Sequence, residues 1–242
     1  MSAGHIEAST MSEVKKRVVI TGAVGALGSA VARGFAASGA QLALLDRATD
    51  SKGLLETLGA QHSFTGGVDL ADAAQAQSAL DAAAARLGGI DVLVNIAGGF
   101  RWETLAAGKL ETWDFLYTIN LKTAVCACKA VLAHLPAQQG RIINVGAAAT
   151  AKAGMGMGAY TASKAGVAKL TEALAEELKD KGVTVNAVLP SIIDTAANRA
   201  DMPTADFTRW VEPAALADVI LFLASDAARA VTGASIPVLG RV

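Results

Sequence analysis

A doubly wound parallel α/β sheet with helices on both faces is the fold this sequence predicts, and three observations carry it. Short β-branched or aliphatic runs alternate with longer, often Ala-rich stretches of helical spacing from Arg17 to Val238. Repeated strand–helix units of this kind imply parallel strands joined by right-handed crossovers. A glycine-rich turn joins the first run to the first helix, and Thr21, Asp46, Asp69, Asn95, Gly146 and Pro190 stand at or just past the ends of successive runs. Ligands bind beyond those strand ends in such sheets.

Arg17-Val18-Val19-Ile20-Thr21 reads as the first strand and Ala26 to Ser38 as the first helix, stopped by Gly39. Between them lie Gly22, Val24, Gly25, Ala26, Leu27 and Gly28. Glycines there permit a tight turn and let backbone N–H groups and the helix N-terminus approach a pyrophosphate. Gln41 to Leu45 is a second strand ending at Asp46, 18 residues after Gly28. An acid at that place hydrogen-bonds a ribose 2′-hydroxyl and repels a 2′-phosphate, which favours NAD over NADP. Arg47 beside it pulls the other way, since a guanidinium accommodates a phosphate.

The alternation continues with a strand near His62 to Thr65, a helix near Ala71 to Leu87 and a strand Val92 to Val94 ending at Asn95. A long helix from about Leu110 to Leu135 leads to a strand Arg141 to Val145 and a helix from about Met157 to Lys179. A strand Val183 to Leu189, a helix Pro213 to Ala224 and a strand Ser235 to Val238 complete a single domain, 15–242, behind a flexible leader, 1–14.

Composition excludes several functions. With 242 residues, 52% hydrophobic and 18% charged, the chain can bury a large core, and its net charge of −1 offers no basic field for nucleic acid or an anionic membrane. Arg33, Lys129 and Asp218 interrupt the long apolar runs, leaving none of the roughly 18 residues a span requires. Glu7 and Glu13 near the start, without an apolar segment, argue against export and for a cytoplasmic location. Cys126 and Cys128 are two apart on one predicted helix and cannot bridge each other, so they read as reduced packing residues. His5, His62 and His134 have no partners at metal-ligand spacing, and no metal is expected.

The chemistry centres on Tyr160 and Lys164, one helical turn apart and therefore on one face. A phenol titrates near about 10 and a neighbouring cation favours its anion, which would let Tyr160 exchange a proton as a general acid or base. The spacing alone is common among surface pairs. Its weight comes from the nucleotide-binding signs around it. Phe100, Arg101 and Trp102, just past a strand end, read equally as a substrate mouth or an amphipathic cap.

From Arg17 to Gly240 the chain resembles the short-chain dehydrogenases/reductases, whose fold is a single Rossmann-type sheet. The resemblance rests on the glycine turn, Asp46, Asp69-Leu70, Asn95-Ile96-Ala97-Gly98, Asn120, Tyr160 through Lys164, Asn186 through Thr195, and Leu221 to Asp226 with Thr232-Gly233. It implies that Asp69 and Leu70 hold an adenine, that Asn95, Ala97 and Gly98 support the cofactor, and that Asn120 holds a water in a relay to Lys164. It implies also that Lys164 binds the nicotinamide ribose, while Pro190, Ile193 and Thr195 border the carboxamide and diphosphate. A homodimer or homotetramer acting on a small molecule with NAD is the corresponding expectation.

Two departures look tolerable: Ala26 replaces a glycine of the turn and Ser191 follows Pro190. The serious one is Ala147, thirteen residues before Tyr160, where the family places a serine that hydrogen-bonds the substrate carbonyl. The next hydroxyl is Thr150. Dihydropteridine reductases share the alanine and resemble Leu189 to Arg199 and Met202 to Trp210. The sequence therefore reads as an NAD(H)-dependent oxidoreductase acting on a carbonyl, alcohol or activated conjugated substrate. The alternatives are a quinonoid dihydropteridine-type reductase and a nucleotide-binding redox sensor or scaffold with little catalysis.

Overall fold

The computed structural model describes residues 15–242, so the leader expected over 1–14 lies outside the described residues. Seven strands, β1 Arg17–Thr21, β2 Gln41–Leu45, β3 Ser63–Thr65, β4 Val92–Asn95, β5 Arg141–Val145, β6 Thr184–Pro190 and β7 Ser235–Val238, form one sheet. Their order is β3-β2-β1-β4-β5-β6-β7, and every pair is parallel. The helices are α1 Ala26–Ala37, α2 Leu54–Leu58, α3 Ala73–Leu87, α4 Leu110–Leu116, α5 Thr123–Val131, α6 Gly158–Leu178, α7 Ala196–Asp201 and α8 Pro213–Ala224.

Alternation along each strand builds two cores. Val18 and Ile20 join Leu42, Leu44, Val92 and Val94 under α1 and α8, whereas Val19 joins Ala43, Leu45 and Leu93 under α3, α5 and α6, as period-two side chains require. In α1 the buried residues Leu27, Val31 and Phe35 recur every four positions, one stripe facing the sheet. Burying such side chains stabilises by about 1.5–3 kcal/mol each. Asp72 caps α3 by accepting from Ala74 N and Gln75 N at 2.9 and 3.0 Å, and Pro213 opens α8, where its missing N–H costs nothing.

The strand order reverses between β1 and β4, where Thr21 pairs with Asn95, and a crevice opens at such a switch point. The glycine turn is pressed against the end of β4: Gly22 has φ 66°, and a Cβ there would lie 2.8 Å from Ala97 N. At Gly28 a Cβ would come within 2.1 Å of the Gly22 carbonyl oxygen. Only glycine fits either place.

Three differences from the sequence expectation matter. The long helix read over Leu110 to Leu135 ends earlier and is interrupted: α4 and α5 are joined by a π-helical turn, Tyr117–Lys122, in which Thr123 N bonds back to Thr118 O. Pro136 disfavours helical backbone at Leu135. The stretch after β6, for which no helix was expected before Pro213, contains α7, capped by Thr195 Oγ1 accepting from Asn198 N at 3.1 Å. The short α2 was not anticipated. His62 is buried, with Nδ1 accepting from Leu42 N at 3.2 Å, and burial lowers its pKa, keeping it neutral and structural.

Candidate active site

A cleft of about 1690 Å³ follows the C-terminal ends of the strands, larger than the roughly 300–1,000 Å³ of ordinary small-molecule sites. It has room for a dinucleotide and a second molecule. Gly22, Val24, Gly25, Ala26, Leu27 and Gly28 line one part, and Asp46, Arg47, Asp69 and Leu70 line its far end. Ala97, Gly98, Tyr160, Lys164, Pro190, Ile193 and Thr195 line the rest. Asn95 and Asn120 are the sequence-predicted residues that do not face it; both are buried beneath its wall.

At the glycine end, α1 is preceded by Gly25 at its N-cap, which supplies no side-chain cap. Its first N–H groups and the positive end of its dipole are left to a ligand, an arrangement suited to an anionic pyrophosphate. Asp46 is held rigidly: one carboxylate oxygen accepts from Val24 N at 3.0 Å and the other from Ala48 N at 2.9 Å. The same end holds Arg47 and Lys52. Thr21 Oγ1 accepts from Ile96 N and Ala97 N at 3.1 and 3.3 Å, fixing the chain past β4. Asn95 supports this from below, donating to Asn144 Oδ1 at 2.9 Å and to Cys128 Sγ at 3.2 Å. Cys128 and Cys126 are free thiols, and burial raises the Cys128 thiol to about 12.

Tyr160 and Lys164 reach the other end of the cleft from α6. Their titration is not that expected from spacing. Burial raises the Tyr160 phenol to about 12 and lowers the Lys164 ammonium to about 8. The physical reason is that desolvation disfavours both charged forms, and the ammonium is directed to the Val145 carbonyl at 2.8 Å. Phe100 and Tyr160 form a T-shaped pair, ring centroids 4.9 Å apart.

Asn120 sits in the π-helical turn. Its Oδ1 accepts from Gly99 N at 2.9 Å, and its Nδ2 donates to Gly99 O and Ser163 Oγ, each at 3.0 Å. Ser163 in turn donates to the Tyr160 carbonyl at 2.7 Å. The Asn120 amide is thus committed to protein partners, joining the chain after β4 to the helix of Tyr160. A water held by this residue would need its backbone carbonyl. Ala147 lines the cleft and is 4% exposed, while Thr150 donates its hydroxyl to the Ala147 carbonyl at 2.8 Å and does not line the cleft.

Residues 16–206 match the family model described as short chain dehydrogenase. The chain belongs to the short-chain dehydrogenase/reductase family. It is 36% identical over 238 residues to a D-threitol dehydrogenase of Mycolicibacterium smegmatis, covering 93% of this chain and 92% of that one. A short-chain dehydrogenase of Burkholderia cenocepacia, solved with NADP, superposes with a TM-score of 0.84 at 28% identity, over 93% of this chain and 96% of that one. A 3-ketoacyl-(acyl-carrier-protein) reductase of Brucella melitensis, solved with NADH, gives 0.82 at 25% identity, over 93% and 97%. These neighbours do not favour the dihydropteridine reading, whose support stays local to residues 189–210.

This short-chain dehydrogenase/reductase is therefore an oxidoreductase, and its cleft has the features a nicotinamide dinucleotide needs: a bare helix N-terminus, glycines that admit no Cβ, and a fixed carboxylate. Sequence reasoning missed Lys52, Phe115, Thr118 and Ile192 in the lining. Phe115 and Thr118 were hidden because apolar spacing does not reveal a π-helical turn. No helix among the described residues is long and apolar enough to cross a membrane.

Burial of Lys164 has a measurable consequence. Its ordinary pKa of 10.5 falls to about 8, so between those values the unfolded chain holds a proton that the folded chain has released. Stability rises with pH across that window, and the penalty is felt in full below it. Lys164→Met is expected to melt above wild type at pH 7, with the gap closing by about pH 10.5; equal melting temperatures at pH 7 would contradict this.

Proposed function

We propose that the chain is an NAD(H)-preferring carbonyl reductase, reversible in principle, in which Tyr160 transfers the proton and Lys164 holds the ribose. The observation that carries this is the convergence of Tyr160, Lys164, the glycine turn and Asp46 on one cleft. A bound nicotinamide would supply or accept the hydride. The chain does the rest. The Tyr160 hydroxyl gives its proton to the carbonyl oxygen as charge develops there, Lys164 stays oriented by Val145 O, and Asn120 keeps the Tyr160 helix in register with Gly99. Ala147 supplies no donor to that oxygen.

Preference for NAD rests on Asp46, whose carboxylate is pinned where a 2′-phosphate would approach, and like charges repel strongly at contact when poorly solvated. Arg47 and Lys52 stand against it, which makes the test informative. NADH is expected to bind at least about tenfold more tightly than NADPH, and Asp46→Ala to narrow or reverse that ratio; fluorescence titration of both nucleotides checks it. Equal or tighter binding of NADPH by the unmodified protein would refute the reading.

Ala147 favours a second reading, a nucleotide-binding sensor or scaffold with little turnover, and an oxidation assay with bound NADH separates the two. The free thiols of Cys126 and Cys128 support a reducing, cytoplasmic setting. Trp113, Tyr117 and Val125 leave exposed apolar surface on α4, the π-helical turn and α5, which supports assembly of two or four copies through these helices.

A further inference from the structure

Beyond Tyr160 the cleft changes character. Phe100, Trp102, Phe115, Met157, Ile192 and Met202 all face it. Phe100 and Trp102 are 52% and 55% exposed, large aromatic surfaces of the kind that mark a binding site when they line a cavity. Both are held in place. Phe100 packs against Tyr160 in a T-shaped pair, and Trp102 lies over Gly156, where a Cβ would come within 2.4 Å of the indole nitrogen. Rings already positioned lose little freedom when a flat ligand stacks on them.

Among the described residues no cation other than Lys164 lines this half of the cleft; Arg101 lies outside the lining with its guanidinium stacked 3.8 Å from the Phe115 ring centroid. Arg47 and Lys52 stand at the far end with Asp46, and the Lys164 ammonium bonds to Val145 O. On α7, Arg199 is paired with Asp194 at 2.5 and 2.7 Å and lies 4.8 Å over the Phe207 ring. The same helix contributes Asp201 to the rim. A carboxylate or phosphate entering here would be desolvated beside an acid with no partner, which is unfavourable.

Resting on the reading of this cleft as a carbonyl reductase, we infer that its substrates are uncharged aromatic 1,2-dicarbonyl compounds, held on Phe100 and Trp102. Two independent features converge on that class. Without a hydroxyl at Ala147 the carbonyl must already be electrophilic, and an electron-poor flat ring stacks well on the electron-rich face of an indole. One carbonyl carbon gains a C–H bond by taking hydride from a reduced nicotinamide dinucleotide, which is oxidised. The C=O π pair moves to oxygen, and that oxygen takes the Tyr160 proton. One carbonyl becomes a secondary alcohol, and the phenolate regains a proton from solvent.

The test compares kcat/KM, with NADH, for 1-phenyl-1,2-propanedione, 2,3-butanedione, acetophenone and benzoylformate. The phenyl dione is expected to exceed butanedione by about five- to tenfold through stacking, acetophenone by about 100-fold through activation, and benzoylformate by at least about tenfold through charge. Trp102→Ala should reduce the phenyl-over-methyl preference to below about threefold and Trp102→Phe should restore most of it. Binding is read separately by quenching of indole fluorescence with the phenyl dione, which Trp102→Phe should diminish. A preference for benzoylformate or butanedione, lost with Tyr160→Phe, would overturn the substrate class while leaving the reductase reading intact. Turnover of none of the compounds, with NADH bound, would overturn both.

Discussion

Tyr160→Phe is expected to lower kcat by roughly 100- to 10,000-fold, the range that a positioned general acid contributes. The substitution removes the hydroxyl and keeps the ring. The edge contact with Phe100 at 4.9 Å survives, so fold and cleft shape should persist. NADH affinity should stay within about threefold, because the phenol acts on the substrate proton and not on the nucleotide. Steady-state kinetics with a parallel NADH titration checks both. A variant with wild-type kcat would move the proton donor elsewhere, and one that loses NADH affinity in step with kcat would make Tyr160 a binding residue.

Ala147→Ser should act in the opposite direction. Removing one preorganised donor to a developing oxyanion slows a reaction by about 100- to 1,000-fold, so restoring it should raise turnover of simple ketones by up to that factor. Activated diones should gain less than about tenfold, because their carbonyls need less help. The geometry permits the change: Ala147 lines the cleft with an extended backbone, φ −157° and ψ 140°, a conformation any residue adopts. Thr150 does not already supply the bond, since its hydroxyl is held by the Ala147 carbonyl at 2.8 Å. A flat ketone rate in Ala147→Ser, with the unmodified protein already reducing simple ketones briskly, would show that another group serves the oxyanion.

Much of the fold was legible because each element carried a local reason. The β-branched run Arg17 to Thr21, the strands at Gln41 and Arg141, and α8 with Pro213 at its start are bounded where their residues change character. The turn from Gly22 to Gly28 was legible for a similar reason, though its glycines serve two purposes: Gly22 and Gly28 leave no room for a Cβ, while a Cβ at Gly25 would meet only Gly22 O at an ordinary 3.4 Å. The interruption at Tyr117–Lys122 was not legible. Over six residues a π-helical turn and an α-helical one place apolar side chains too similarly for spacing to separate them.

The chemistry was harder to read than the placement. Sequence shows Lys164 four residues after Tyr160, but not that burial raises the phenol or that the ammonium turns to Val145 O. Asp46 was legible as an acid at a strand end, but not as the carboxylate that pins Val24 N. Arg17 and Asp91, 74 positions apart, form a two-point ion pair at 2.9 and 2.5 Å that joins the starts of β1 and β4. Nothing local announces a contact at that separation.

Hydride is expected to cross this cleft to a carbonyl carbon under the control of Tyr160. The direct measurement uses NADH deuterated at the transferable position of nicotinamide C4, mixed with 1-phenyl-1,2-propanedione, with the product examined by proton NMR. Deuterium at the new carbinol carbon, formed by the unmodified protein and nearly absent with Tyr160→Phe, is the result predicted. NADH that binds while no deuterium reaches carbon, or deuterium that reaches it equally in both proteins, would contradict it.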